Sequence, residues 1–124
     1  MRSILIVDDE IDYCIELEKG LSRAGYEITI ANNVDVAMRK ADIKSFDVLL
    51  VDMMLKDQIN GIALAEAVSL KKPKIKTILM SGFLSAETRK NAEASNALGF
   101  IEKPFRIGKL ISVLEKVLNT PNTE

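Results

Sequence analysis

The sequence predicts one doubly wound α/β domain, a five-stranded parallel sheet with helices on both faces. Five short apolar runs each give way to a segment of helical spacing within about 120 residues, with no internal repeat and no long linker, so right-handed β–α–β crossovers are the simplest connection. The length, 124 residues and 13.7 kDa, suits a single domain that buries its core without disulfides or a structural metal. Hydrophobic residues at 48% and charged residues at 28%, with a net charge of −1, describe a folded chain and not a disordered one.

Taken in order, Ile4 to Val7 is a continuous apolar run closed by Asp8 and Asp9, too short for a helix, and reads as a strand buried on both faces. From Ile11 the spacing turns helical, with Ile11, Cys14, Ile15, Leu17, Leu21 and Ala24 as the apolar face and Gly25 as the stop. Glu27 to Ala31 reads as the second strand, and Asn33 as the cap of a helix presenting Val34, Ala37, Met38 and Ala41. Asp47 to Val51 is the third strand, reaching Asp52. A polar loop then leads to Gly61 and a helix that turns Ile62, Leu64, Ala65 and Val68 inward, with Pro73 beyond its end. Thr77 to Met80 is the fourth strand, followed by Ser81 and Gly82; the stretch from Ser85 to Ala97 is helical by its alanines and charges with a weak apolar face. Phe100 and Ile101 form a short fifth strand and Lys103-Pro104 ends it. Ile107, Leu110, Ile111, Leu114, Val117 and Leu118 make the last helical stripe, so the domain is expected over 1–118, with 119–124 a polar tail or the start of a linker.

Composition removes whole classes of chemistry. The chain has no histidine, which excludes a Ser/His/Asp triad, a His-ligated zinc and a phosphorylatable histidine. Its one cysteine, Cys14, permits no internal disulfide and fits a reducing compartment, so a cytoplasmic protein is expected. No apolar run reaches the roughly 18 residues that cross a bilayer, and no membrane partner is expected. Lys71, Lys72, Lys74 and Lys76 around Pro73 read as a solvated loop, since no aromatic accompanies them, and direct nucleic-acid binding is not expected. The first 62 residues carry 7 basic and 12 acidic side chains and the last 62 carry 10 and 6.

Ligands of such sheets lie beyond the carboxyl ends of the strands. The strands deliver Asp8, Asp9 and then Glu10, Asp52, Ser81 and Lys103 to that edge. Singly, each has a plain explanation as a cap, a turn residue or a surface charge; together they mark a site. Three crowded carboxylates repel by about 4 kcal/mol per pair at about 4 Å and an effective dielectric near 20, so either a pKa rises or a cation fills the space. With only oxygen ligands on offer, that cation is Mg²⁺, with Mn²⁺ as the alternative. A lysine opposite it divides the charge of a bound oxyanion, taken to be a phosphoryl group, while Ser81 offers a hydroxyl.

Ile6-Val7-Asp8-Asp9-Glu10, Val51-Asp52-Met53-Met54, Leu79-Met80-Ser81-Gly82 and Gly99-Phe100-Ile101-Glu102-Lys103-Pro104-Phe105 together resemble the receiver domain of two-component response regulators, from residue 2 to about 118. The resemblance implies the flavodoxin-like strand order 2-1-3-4-5 and a cis Lys103-Pro104 bond. It implies Asp52 as phosphoryl acceptor, Mg²⁺ held by Asp8, Asp9, Asp52 and the Met54 backbone carbonyl, and phosphoryl oxygens bound by Ser81 and Lys103. The donor would be a sensor histidine kinase or a histidine phosphotransfer protein. Phosphorylation would pull on Ser81, let Phe100 turn inward and reshape the face of helix four, strand five and helix five, read by a downstream protein target or an attached output domain. Such a domain is a signalling module and not an enzyme with a separate substrate.

The sequence departs from the family pattern at several places. Lys56 stands where many receivers have proline, and Gly61 lies nine positions after Asp52, one more than the common spacing. Phe100 replaces the tyrosine of many members, so the switch lacks a hydroxyl. Met54 and Phe83, two positions past Asp52 and Ser81, cannot orient an attacking water, which predicts slow self-dephosphorylation. The rival readings are a receiver-shaped binding module without phosphotransfer, a haloacid-dehalogenase-like phosphatase using Asp8, and a flavin-binding protein. The last has no phosphate-cradling loop after strand one to support it. The chain is expected to be a free-standing regulator or the receiver of a longer one whose linker begins near Pro121.

Overall fold

The computed structural model describes residues 1–56, 61–82 and 85–121. Its elements alternate: β1 (Ser3–Val7), α1 (Ile11–Arg23), β2 (Glu27–Ala31), α2 (Val34–Ile43), β3 (Val48–Asp52), α3 (Gly61–Lys71), β4 (Lys76–Ser81), α4 (Ala86–Ala94), β5 (Gly99–Glu102) and α5 (Ile107–Leu118). The strands form one sheet in the order β2-β1-β3-β4-β5, every neighbouring pair parallel, as the family resemblance implies.

The period of two along each strand divides the interior into two cores. Leu5, Val7, Leu49, Val51 and Leu79 face α2, α3 and α4, meeting Ala37, Ala41, Leu64, Val68 and Ala92. Ile4, Ile6, Leu50, Ile78, Met80 and Ile101 face α1 and α5, meeting Cys14, Leu17, Leu21, Leu110, Leu114 and Val117. Ile4 to Val7 are wholly buried, which explains why the run shows no polar alternation; each such side chain contributes about 1.5–3 kcal/mol by leaving water.

Helix ends follow local chemistry. The Asn33 side chain accepts the Val36 N–H at 2.9 Å, capping α2. Gly25, at φ +97°, ends α1 in a Schellman arrangement: Tyr26 N–H donates to Leu21 O and Gly25 N–H to Ser22 O. Gly61 is required for another reason. A Cβ there would stand 2.0 Å from the Asp52 carbonyl oxygen, so α3 starts directly against the end of β3 and its N–H donates to Met53 O at 3.0 Å.

Three expectations are corrected. On α1 only Cys14, Leu17 and Leu21 are buried, while Ile11 and Ile15, about 90° or more from the centre of the arc these define, are exposed; Ala24 is exposed because it falls past the end of the helix, at its C-cap. The third strand is Val48–Asp52; Asp47, at the bend before it, already bonds through its backbone to Ser3 O and Lys76 N–H, and its carboxylate accepts the Ser3 N–H at 2.8 Å. The fourth helix ends at Ala94 and not Ala97: Ser85 caps its start by accepting the Thr88 N–H at 3.0 Å, and Ser95 Oγ donates to Ala92 O, where its hydroxyl competes with the next backbone turn.

Candidate functional site

Parallel strands bring their carboxyl ends to one edge. Asp8 follows β1 directly, its N–H donating to Ala31 O at 3.2 Å; Asp52 and Ser81 are the last residues of β3 and β4. Lys103 follows β5 and extends its ladder by one bond, Lys103 N–H to Ser81 O at 2.8 Å, and the peptide bond to Pro104 is cis.

Lys103 gathers the group. Its Nζ donates to Asp8 Oδ2 at 2.7 Å and to Asp52 Oδ2 at 2.9 Å, with Glu10 Oε1 at 4.0 Å. The second oxygen of each carboxylate is held by backbone: Glu10 N–H to Asp8 Oδ1 at 3.0 Å and Met54 N–H to Asp52 Oδ1 at 2.9 Å. Asp9 Oδ2 accepts the Lys56 N–H at 2.8 Å, a bond that proline at 56 could not make. So the departure at Lys56 supplies a donor that orients Asp9. One oxygen from each of Asp8, Asp9 and Asp52 lies within 4.8 Å of the other two.

Burial sets the electrostatics. Asp8 is 0% exposed, and burial raises its pKa above the ordinary 3.8 despite the Lys103 and Glu10 hydrogen bonds that oppose the rise. Lys103, its side chain 13% exposed, is pushed up from 10.5: burial opposes this, but hydrogen bonds to Asp8 and Asp52 outweigh it. The two ends of one contact thus point opposite ways. A 2.7 Å bond is the length of an ammonium–carboxylate pair, so the rise at Lys103 governs the pair at neutral pH, and the rise at Asp8 marks the carboxylate whose charge is least well accommodated. A raised carboxyl pKa contributes stability that is full below the unfolded value and lost as pH rises through the folded one. Asp8→Asn, which mimics the neutral form, is therefore expected to raise the Tm of the metal-free protein at pH 7. The same variant should lose most of the rise in Tm that Mg²⁺ gives the wild type, which thermal melts with and without chelator would read.

The donor set fits a hard divalent cation. It offers three carboxylate oxygens at one edge and, among the described residues, neither histidine nor a reachable thiolate. Cys14, the one sulfur nearby, is fully buried with its Sγ 3.4 Å from Asp8 O, and burial pushes its pKa up to about 12. Native protein is expected to resist thiol reagents, with Cys14 reacting only on unfolding; rapid modification at pH 8 without loss of structure would contradict that burial.

The other residues singled out by sequence are placed as follows. Ser81 is fully buried at the end of β4. Phe100 is half-buried on β5, beside Leu79 in the register, packing on the α2–α3–α4 core and rimming a depression with Arg89, Glu93 and Leu98. The Met54 side chain points to solvent, 63% exposed. Phe83 lies outside the described residues, as do residues 57–60 of the loop before Gly61. Tyr13, on the first turn of α1, is a site residue that no sequence motif marks: its ring centroid lies 4.6 Å from Lys103 Nζ. Sequence reasoning misses it; an aromatic four positions after Asp9, on the first turn of the helix beside the site, is the signal that could have found it.

Residues 4–115 match the family described as response regulator receiver domain. The response regulator receiver protein CpdR of Brucella abortus is 29% identical over 95% of this chain and 98% of its own length. The transcriptional regulatory protein ZraR of Escherichia coli K12 is 32% identical over 93% of this chain, which spans only 26% of ZraR. Among solved structures, the receiver domain of NtrX from Brucella abortus has a TM-score of 0.87 at 32% identity, covering 95% of this chain and 99% of that one. A CheY-like receiver domain protein from Methanospirillum hungatei has a TM-score of 0.88 at 27% identity, covering 96% and 94%. Among the described residues, no helix is long and apolar enough to cross a membrane.

Proposed function

The chain belongs to the response regulator receiver domain family, and from that membership we propose that Asp52 accepts a phosphoryl group from the phosphohistidine of a sensor histidine kinase or histidine phosphotransfer protein. The observation that carries this reading is the position of Lys103 Nζ, within hydrogen-bond distance of both Asp8 and Asp52 in a cluster of three carboxylates at the ligand-binding edge of the sheet.

An Asp52 carboxylate oxygen attacks phosphorus in line with the donor's P–N bond; a P–O bond forms, and the P–N electron pair returns to the imidazole nitrogen. The protein contributes chiefly position and charge. Met54 N–H and Lys103 Nζ fix the two oxygens of Asp52 in one orientation before the donor arrives, which removes the entropy of aligning them. Lys103 then transfers a hydrogen bond from the carboxylate to a phosphoryl oxygen, and the Ser81 hydroxyl binds another. Asp8, Asp9, Asp52 and the Met54 carbonyl would hold Mg²⁺ or Mn²⁺, which would neutralise phosphoryl charge when bound.

Acylphosphate formation draws Ser81 toward the new oxyanion, and Phe100, half-buried on the neighbouring strand, moves into the space released, shifting the population of the α4–β5–α5 face. That face engages a protein target or an output domain in a longer chain. The domain acts on its own Asp52 and on no separate substrate, and the reduced, buried Cys14 fits a cytoplasmic setting.

Intact mass after incubation with acetyl phosphate and Mg²⁺ tests the reading. One adduct, absent when chelator is present during the incubation and mapped to the peptide containing Asp52, is expected. No adduct from acetyl phosphate or from a panel of phosphorylated kinases would leave a receiver-shaped binding module.

A further inference from the structure

We propose that Tyr13 is a positioning residue for Lys103, its ring face holding the ammonium between Asp8 and Asp52; the kinetic part of this assignment rests on the phosphoryl-acceptor reading above. A lysine ammonium sits on a flexible four-carbon stem with three rotatable donors, so its reach does not by itself fix its place. Lys103 has a competing direction available, since the exposed Glu10 carboxylate lies 4.0 Å from its Nζ. The ring of Tyr13 meets the ammonium with its face, 4.6 Å from Nζ to centroid, well inside the range of a cation–π contact. Asp8 and Asp52 bind Nζ by hydrogen bonds and the ring binds it by its face, so three neighbours define one position.

The ring is itself held. Tyr13 meets Phe105 edge to face, centroids 6.0 Å apart and planes at 73°. Phe105 follows the cis Lys103-Pro104 unit, so the segment that carries the lysine also carries the ring that clamps its aromatic support. The Tyr13 hydroxyl oxygen is buried and makes no hydrogen bond among the described residues. A buried, unsatisfied hydroxyl detracts from stability, so the ring and not the phenol performs the role.

This separates the proposal from simple packing. Tyr13→Phe keeps the π face and removes the orphan hydroxyl; Tyr13→Leu keeps an apolar side chain and removes the π face. In the full-length chain, Tyr13→Phe is expected to take phosphoryl from acetyl phosphate within about twofold of the wild-type rate and to melt at the same temperature or higher. Tyr13→Leu is expected to lose about five- to tenfold in the rate at saturating acetyl phosphate, the size of one partly desolvated cation–π contact. A second measurement needs no phosphoryl donor: the ε-methylene protons of Lys103 should be shifted upfield by the ring in wild type and Tyr13→Phe and return to ordinary values in Tyr13→Leu. An unshifted Lys103 in the wild type, or equal labelling rates for Tyr13→Leu and wild type, would overturn the positioning role. A wild type that shows the shift but takes no label would overturn the acceptor reading instead, and with it the kinetic role.

Discussion

Asp52→Asn is expected to abolish phosphoryl acceptance, with the rate of adduct formation down by at least about a thousandfold. An amide oxygen still accepts the Met54 N–H, so the bond at Oδ1 survives, and the side chain keeps its place at the end of β3. What is lost is the anionic nucleophile. The substitution also removes one of three crowded negative charges, so the fold should be retained or slightly stabilised, and circular dichroism with thermal melting would show that lost labelling is not lost structure. An adduct forming on Asp52→Asn at a comparable rate would mean that another carboxylate is the acceptor, and Asp8 would be the one to examine.

Lys103→Met is expected to be the most destabilising single change at the site, by about 3 kcal/mol in chelator at pH 7, or roughly 10 °C in Tm. Nζ hydrogen-bonds two carboxylates, one of them fully buried, and a methionine of similar length leaves both charges without their cation. The pH dependence distinguishes lost charge from lost packing. Lys103 has its pKa raised by its partners, so its contribution is fully present below the unfolded value of 10.5 and is lost only as pH rises through the folded one. In the variant, Asp8 loses the ammonium that opposed its raised pKa, and its ionisation above the ordinary 3.8 then falls on the fold unrelieved. The deficit should therefore be small near pH 4 and grow toward pH 7. Mg²⁺ should restore part of it, because a cation among the carboxylates replaces some of the missing charge. A deficit that is constant from pH 4 to pH 7 and indifferent to Mg²⁺ would show that the lysine matters only for packing.

Much of the fold is legible in the chain because each strand is a run whose end is announced by a change of chemistry. Ile4 to Val7 stops at Asp8, the third run stops at Asp52, and the helical stripe from Ile107 to Leu118 repeats its apolar positions through three turns. Where the pattern is weak the boundaries move. The fourth helix has one buried residue, Ala92, so nothing in its apolar spacing marks its end, and the hydroxyl of Ser95 decides it. The first helix shows the opposite error, too many apolar residues: Ile11 and Ile15 lie at helical spacing with each other but outside the arc that the sheet covers.

By itself the sequence determined the βα order, the cap at Asn33, the stop at Gly25 and the set of polar residues delivered to one edge, because these depend on periodicity and on contacts between near neighbours. The tertiary structure decided the rest of the site. Lys103 and Asp8 are 95 positions apart, and only the parallel ladder brings them to 2.7 Å. The donor that fixes Asp9 is a backbone N–H, which every residue but proline carries and no side-chain pattern reveals. Tyr13 meets Lys103 because the first turn of α1 lies beside the Lys103–Phe105 segment that follows β5, a placement set by strand order and side-chain rotamer, neither of which is written in the local order of residues.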